Sequence, residues 1–170
     1  MLFIKKIFGF KTKVTEKELA ELYWECCKKL SSSLYEITSK SADPNHDPDT
    51  EKMLEYTILS LWMFSNSFPS EKKVLDYLHS DIFIKRFCNT FNNYTEKKIK
   101  ILFAERYTEY YQSLNDKGQA FYAPSVLFLK NVYGEDGKEQ LNAKLAFEVS
   151  VHILSGMQFI KDIRQNYILK

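Results

Sequence analysis

The chain has 170 residues, of which 45% are hydrophobic and 27% charged, and its 24 basic side chains nearly balance its 22 acidic ones. Such a globular composition excludes a disordered chain, and the length suits one domain. Basic and acidic side chains balance in residues 1–50 and in residues 101–170, and only residues 51–100 lean slightly basic, so neither half of the chain carries the basic surface needed to bind a phosphate backbone. We therefore expect no nucleic-acid partner.

The glycine, proline and cysteine contents exclude further classes of protein. Five glycines and four prolines are too few for a turn-rich β sandwich or barrel. Cys26, Cys27 and Cys88 cannot build a framework of several disulfides, which favours a reducing compartment. We expect a cytoplasmic protein, because no apolar run reaches the length of a membrane-spanning helix.

Residues 1–14 form a basic and apolar segment that we separate from a single helical domain at 15–170. Wound as a helix, the segment places Phe3, Ile7 and Phe10 on one side and most lysines elsewhere, which is typical of weak peripheral contact with an anionic membrane. The alternatives are docking on the protein's own core and pairing as a strand. The candidate membrane or partner contacts are Phe3, Lys5, Lys6, Ile7, Phe10, Lys11 and Lys13.

Local signals then predict a series of helices. Thr15 and Glu18 form a capping box that opens a first helix, whose apolar stripe places Cys26 on the buried side and runs to about Lys40. A loop with two Asp-Pro pairs follows, and a second helix at about 48–66 is apolar on most sides, which predicts a central position. Further helices are predicted from Ser70 to about Phe91, from Thr95 to Leu114, from Ser125 to Tyr133 and from Lys138 to about Tyr167.

The last predicted helix raises two questions. Thirty helical residues span roughly 45 Å, whereas a domain of this size has a radius of gyration of roughly 15 Å. We therefore expect a bend near Gly156 or a projection beyond the core. Residues 147–153 also alternate between apolar and polar side chains as a strand does, but no partner strand is evident, so we predict a helix.

Together these elements predict an all-α fold, a single-domain bundle of about six helices around the central apolar helix.

No residue cluster has the spacing that catalysis or metal binding requires. The loop at 43–54 lacks the glycine and the final glutamate of a calcium loop, and three scattered histidines match no zinc pattern. Gly-rich phosphate loops and nucleophile elbows are absent. We expect no catalytic residues, no metal and no cofactor, which favours a non-enzymatic protein.

Two functions remain. The first is an intracellular interaction protein, such as an adaptor, inhibitor or immunity-type binder, that uses helix faces to bind a protein partner or further copies of itself. The second is a small-molecule-binding and even catalytic helical domain with an aromatic pocket around Tyr107, Tyr110 and His152. The candidate ligand-binding residues are Tyr107, Tyr110, Tyr111, Glu148 and His152.

Overall fold

The computed structural model describes residues 11–39, 50–90, 94–114, 121–134 and 143–170. The elements in this part of the chain are β1 (Thr12–Val14), α1 (Glu16–Ser39), α2 (Thr50–Ser67), α3 (72–90), α4 (Glu96–Ser113), α5 (Tyr122–Tyr133), α6 (Ala143–Arg164) and β2 (Tyr167–Leu169). The predicted all-α, single-domain fold is confirmed. Phe3, Lys5, Lys6, Ile7 and Phe10 lie outside the described residues.

Local capping signals place the starts of two helices. The amide of Thr15 donates to Glu18 Oε2 at 2.7 Å, and the amide of Glu18 donates to Thr15 Oγ1 at 3.2 Å. At α4, Thr95 has extended backbone and accepts from the amide of Lys98 at 3.3 Å. Both predicted N-caps are confirmed, because a cap depends only on neighbouring residues.

Helix α2 packs against α1, α4, α5 and α6. Its side chains are buried at successive positions from Leu54 to Phe64, which agrees with a helix that is apolar on most sides. Helix α1 buries Cys27 fully and leaves Cys26 half-buried. The predicted placement of Cys26 on the buried side was therefore wrong, since Cys27 is the thiol that packs in the core, whereas Leu19, Tyr23, Leu30 and Leu34 of the predicted stripe are buried.

Helix α3 is irregular in its middle. It is α-helical at Lys72–Asp76 and Lys85–Thr90, but Tyr77–Ile84 is π-helical. The wider π turn changes the direction in which each following side chain leaves the helix. One of the residues that it carries is His79, which points toward α2 and α4.

Helix α6 is continuous from Ala143 to Arg164, so the helical prediction for residues 147–153 is confirmed over the strand alternative. The predicted extension to Tyr167 was wrong. The side chain of Asn166 donates to the carbonyls of Asp162 at 2.9 Å and Ile163 at 3.2 Å, and thereby ends the helix. The chain then forms β2.

Gly156 lies where α6 meets α1 and α2. A Cβ at this position would overlap Cε of Met63 and lie 3.2 Å from Cδ2 of Leu30. The missing side chain therefore allows a close approach of the three helices.

A two-stranded parallel sheet joins the two ends of the described chain. Thr12 pairs with Tyr167 and Val14 with Leu169, and Val14 is buried. Residues 12–14 thus form a strand rather than the end of an amphipathic helix. Lys11 and Lys13 are exposed.

Candidate functional site

The three tyrosines predicted to bind a ligand lie on α4 but have different surroundings. Tyr110 is fully buried with its ring 5.5 Å from that of Trp62, and burial raises its pKa well above the usual value. Tyr111 meets the same indole edge-on at 6.0 Å and is partly exposed. Tyr107 lies nearer α3, where its hydroxyl is 3.1 Å from His79 Nε2.

Glu148 and His152 lie on α6. Glu148 is half-buried, and one of its oxygens lies 3.9 Å from Lys144 Nζ. His152 is buried, which lowers its pKa, although a backbone hydrogen bond to Leu30 on α1 opposes that shift. His152 therefore belongs to the α1–α6 contact, and the histidine that meets Tyr107 is His79.

Ser65, His79 and Tyr107 form a hydrogen-bonded cluster that joins α2, α3 and α4. Ser65 Oγ is 3.3 Å from His79 Nε2 and 3.1 Å from Tyr107 Oη. Burial lowers the pKa of His79 to about 4 and raises that of Tyr107 well above its usual value. Both groups are neutral at pH 7, so the cluster acts as an uncharged connection between three helices.

A cleft of about 280 Å³ opens between α2, α4 and α5. Its polar lining consists of Lys52 and Glu55 from α2, Lys98 and Arg106 from α4, Asn131 from α5 and Tyr94 before α4. The apolar part of its wall consists of Leu54, Leu102 and Val132. This volume lies just below the usual range for small-molecule pockets. We call it the cationic cleft, because three of its side chains are basic and one is acidic.

Two glutamates fix Arg106 in the cationic cleft. Its Nε donates to Glu55 Oε1 at 2.8 Å, and its Nη1 donates to Glu109 Oε2 at 3.1 Å. Burial alone would lower the pKa of Arg106, but the hydrogen bonds and charges of both carboxylates raise it instead. Because Glu55 and the guanidinium are largely buried, this pair holds one rigid orientation.

Two tyrosine rings position the lysines of the cationic cleft. Lys98 Nζ lies 4.7 Å from the centre of the Tyr94 ring, and Lys52 Nζ lies 5.5 Å from the centre of the Tyr133 ring. A ring face attracts an ammonium group without neutralising it. Each of the two ammonium groups therefore lies against a tyrosine ring beside the cleft.

The outer side of α6 exposes four large apolar residues. Phe147, Val151 and Leu154 follow the spacing that places residues on one helix face, and Phe159 flanks them. Their exposed fractions are 63% for Phe147, 47% for Val151, 49% for Leu154 and 43% for Phe159. We call this surface the α6 outer face. A row of exposed apolar side chains on one helix face is a candidate interaction surface.

Sequence reasoning missed the cationic cleft. A signal that could have indicated it is Glu55, an acidic residue within the apolar stretch at 53–64. Within the described ranges, no group of three or more His, Cys, Asp or Glu side chains is placed to hold a metal ion. None of the helices in those ranges combines the length and the apolar character needed to span a bilayer.

Comparison of this chain with protein-family models, with curated protein sequences and with solved structures gives no match.

Proposed function

We propose that this chain is a non-enzymatic interaction protein that pairs with a second copy of itself through the α6 outer face. The observation that carries this proposal is the row of exposed apolar side chains at Phe147, Val151 and Leu154. Exposure of these side chains in a monomer adds nothing to the free energy of folding, whereas their burial in an interface removes apolar area from water and favours association.

The charges on α6 favour an antiparallel pair. Lys144 and Asp162 are eighteen residues apart, which is five helical turns, so both lie on the same side of the helix. If two copies cross at the height of Ile153, Lys144 of one copy faces Asp162 of the other. This opposite-charge contact occurs twice, because a two-fold pair repeats every contact.

The same alignment brings apolar groups together. Val151 lies level with Ser155 of the second copy, whose small side chain leaves room for it, and Phe159 lies at the edge of the contact. Leu154 lies close to Leu154 of the second copy, next to the two-fold axis. An apolar centre with charged pairs at both ends is the usual arrangement of a protein interface.

A charge-exchange experiment tests this pairing. The substitutions Lys144→Glu and Asp162→Lys each place like charges opposite one another, whereas the double variant restores opposite charges. We expect each single variant to raise the dimer dissociation constant about tenfold and the double variant to recover most of that loss. Sedimentation equilibrium over a range of protein concentrations measures these constants.

Lys161→Glu is the matched control, because it makes the same charge change on α6 without facing an acid in this alignment. It should leave the dissociation constant unchanged. A wild-type chain that stays monomeric at every concentration would overturn the proposal. Equal weakening by Lys144→Glu and Lys161→Glu would overturn it too, since net charge alone would then explain the effect.

We further propose a cytoplasmic location with weak contact at the inner membrane surface through residues 1–14. Support comes from the sequence of this segment and from the exposed Lys11 and Lys13. The free thiols of Cys26, Cys27 and Cys88 support a reducing compartment.

A further inference from the structure

We infer that the outer side of the β1–β2 sheet binds the surface of an anionic membrane. This inference rests on the proposed membrane contact of residues 1–14 and extends that contact to β2. We call this surface the basic sheet face and define it as Lys11, Lys13, Ile168 and Lys170, all of which are exposed.

The strand register places these four residues on one side of the sheet. Lys13 pairs directly with Ile168, and each of the other two lysines lies two positions along its chain from one member of that pair. Side chains alternate between the two sides of a strand, so all four share a side. The opposite side faces the core, where Val14 is buried and Leu169 packs against buried residues.

The sheet joins two stretches of the chain that contain no acidic residue. Residues 1–15 hold four lysines and residues 163–170 hold Arg164 and Lys170, with no Asp or Glu in either stretch. Arg164 forms an ion pair with Glu71, so we do not count its charge. Glu18 lies near Lys170, but hydrogen bonds from Thr15 are the main cause of its lowered pKa, and the charge of Lys170 adds less. The basic sheet face is therefore positive although the whole chain is nearly neutral.

The exposed isoleucine favours a lipid surface over a soluble polyanion. Ile168 is 45% exposed and lies beside Lys13. At a membrane surface an apolar side chain enters the interfacial layer while lysine ammonium groups stay among the anionic headgroups. Residues 1–10 join Lys11 directly, so a membrane that they contact lies close to this sheet.

The basic sheet face strengthens binding but does not sustain it alone. The attraction of a few lysines to an anionic surface is weak, and stable attachment needs a further apolar contribution. In the sequence that contribution comes from Phe3, Ile7 and Phe10. We therefore expect residues 1–10 to be required for binding and β2 to set its strength.

Two variants of β2 test the inference by sedimentation of the full chain with vesicles of phosphatidylcholine and phosphatidylserine in equal amounts. Lys170→Gln should weaken partitioning into these vesicles about fivefold, because it removes one charge at the surface. Ile168→Ser should weaken it about threefold, because it removes a partly inserted apolar side chain. Both side chains are exposed, and an unchanged melting temperature checks that the fold is kept.

Helix α4 offers a matched control for each variant. Lys97→Gln and Ile101→Ser make the same changes at exposed positions, and Ile101 is 50% exposed, close to the value for Ile168. Helix α4 packs against α2, α3 and α5. Both controls should partition as wild type does.

The outcomes separate this inference from the proposal on which it rests. If wild type sediments with the vesicles and both β2 variants match their controls, the basic sheet face has no role and the contact of residues 1–14 still stands. If wild type does not sediment with them, that contact is wrong and this inference falls with it. If Lys170→Gln weakens binding and Ile168→Ser does not, the face attracts anions without touching lipid, and its assignment as a membrane surface is wrong.

Discussion

The orientation of the His79 side chain depends on a π-helical turn that the amino-acid sequence does not predict. The π-helical turn of α3 directs its imidazole at Ser65 on α2 and Tyr107 on α4. Burial without a charged partner then makes the protonated form costly, and the pKa falls from 6.5 to about 4. The folded chain therefore holds this histidine neutral where an unfolded chain would protonate it.

This difference predicts a pH dependence of stability. Between pH 6.5 and about 4 the unfolded state binds a proton that the folded state does not, so stability falls as the pH falls. The slope from one such group is at most about 1.4 kcal/mol per pH unit. His79→Gln should remove that slope, so the stability advantage of wild type over the variant shrinks toward pH 4. Urea unfolding at several pH values measures it.

His152 contributes to the pH dependence of stability in both wild type and the His79→Gln variant. Burial lowers its pKa as well, so some loss of stability at low pH remains in both proteins. The decisive quantity is the difference between the two unfolding curves. If that difference stays constant from pH 7 to about pH 4, the folded pKa of His79 is not depressed and the prediction is wrong.

Contacts between residues that are close in the sequence could be predicted, whereas contacts between residues that are distant in the sequence could not. The N-caps at Thr15 and Thr95 are hydrogen bonds to a residue three positions further along the chain. Glu55 and Arg106 are 51 positions apart, and no pattern in either helix indicates that they meet. Arg106 lies close to Glu105 and Glu109 along the sequence of α4, but only the packing of α2 against α4 brings Glu55 to it.

At the scale of elements, helical periodicity predicted the helices well and their ends less well. Residues 147–153 are helical as expected, since none of the strands in the described ranges pairs with them. The end of α6 depends on Asn166 and on the pairing of β2 with β1. That strand partner lies near the other end of the chain, so local patterns carry no information about it.

The sheet separates two roles of the N-terminal segment, and truncation distinguishes them. Deleting residues 1–10 leaves β1 in place and should not change the melting temperature, but it should abolish sedimentation with anionic vesicles. Deleting residues 1–14 also removes the buried Val14 and its pairing with Leu169, and should lower the melting temperature by several degrees. Neutral vesicles are the control for charge-dependent binding.

Each truncation has a result that would contradict one prediction without affecting the other. If the chain without residues 1–10 sediments with anionic vesicles as strongly as the full chain, the proposed membrane contact is wrong. If removal of residues 1–14 leaves the melting temperature unchanged, then β1 adds nothing to stability. The strand pairing and the membrane contact are therefore tested independently.

At the scale of the whole molecule, the packing of three helices depends on the absence of one side chain. Gly156 on α6 lets Met63 from α2 and Leu30 from α1 come into the same small volume, and both of these side chains are buried. In an exposed helix, alanine is more favourable than glycine by about 1 kcal/mol. Here the close approach of the helices should reverse the sign of that effect.

Gly156→Ala should therefore lower the free energy of unfolding by about 1–2 kcal/mol, because overpacking of a core exceeds the gain in helix propensity. Met63→Leu removes the Cε atom that a new Cβ would overlap, so the double variant should recover at least half of the loss. Urea unfolding of all four proteins in one double-mutant cycle gives the coupling energy directly. The protein concentration must be the same throughout, since self-association adds to apparent stability. A Gly156→Ala variant that is as stable as wild type would contradict the prediction and would mean that the flexible end of Met63 moves aside at little cost.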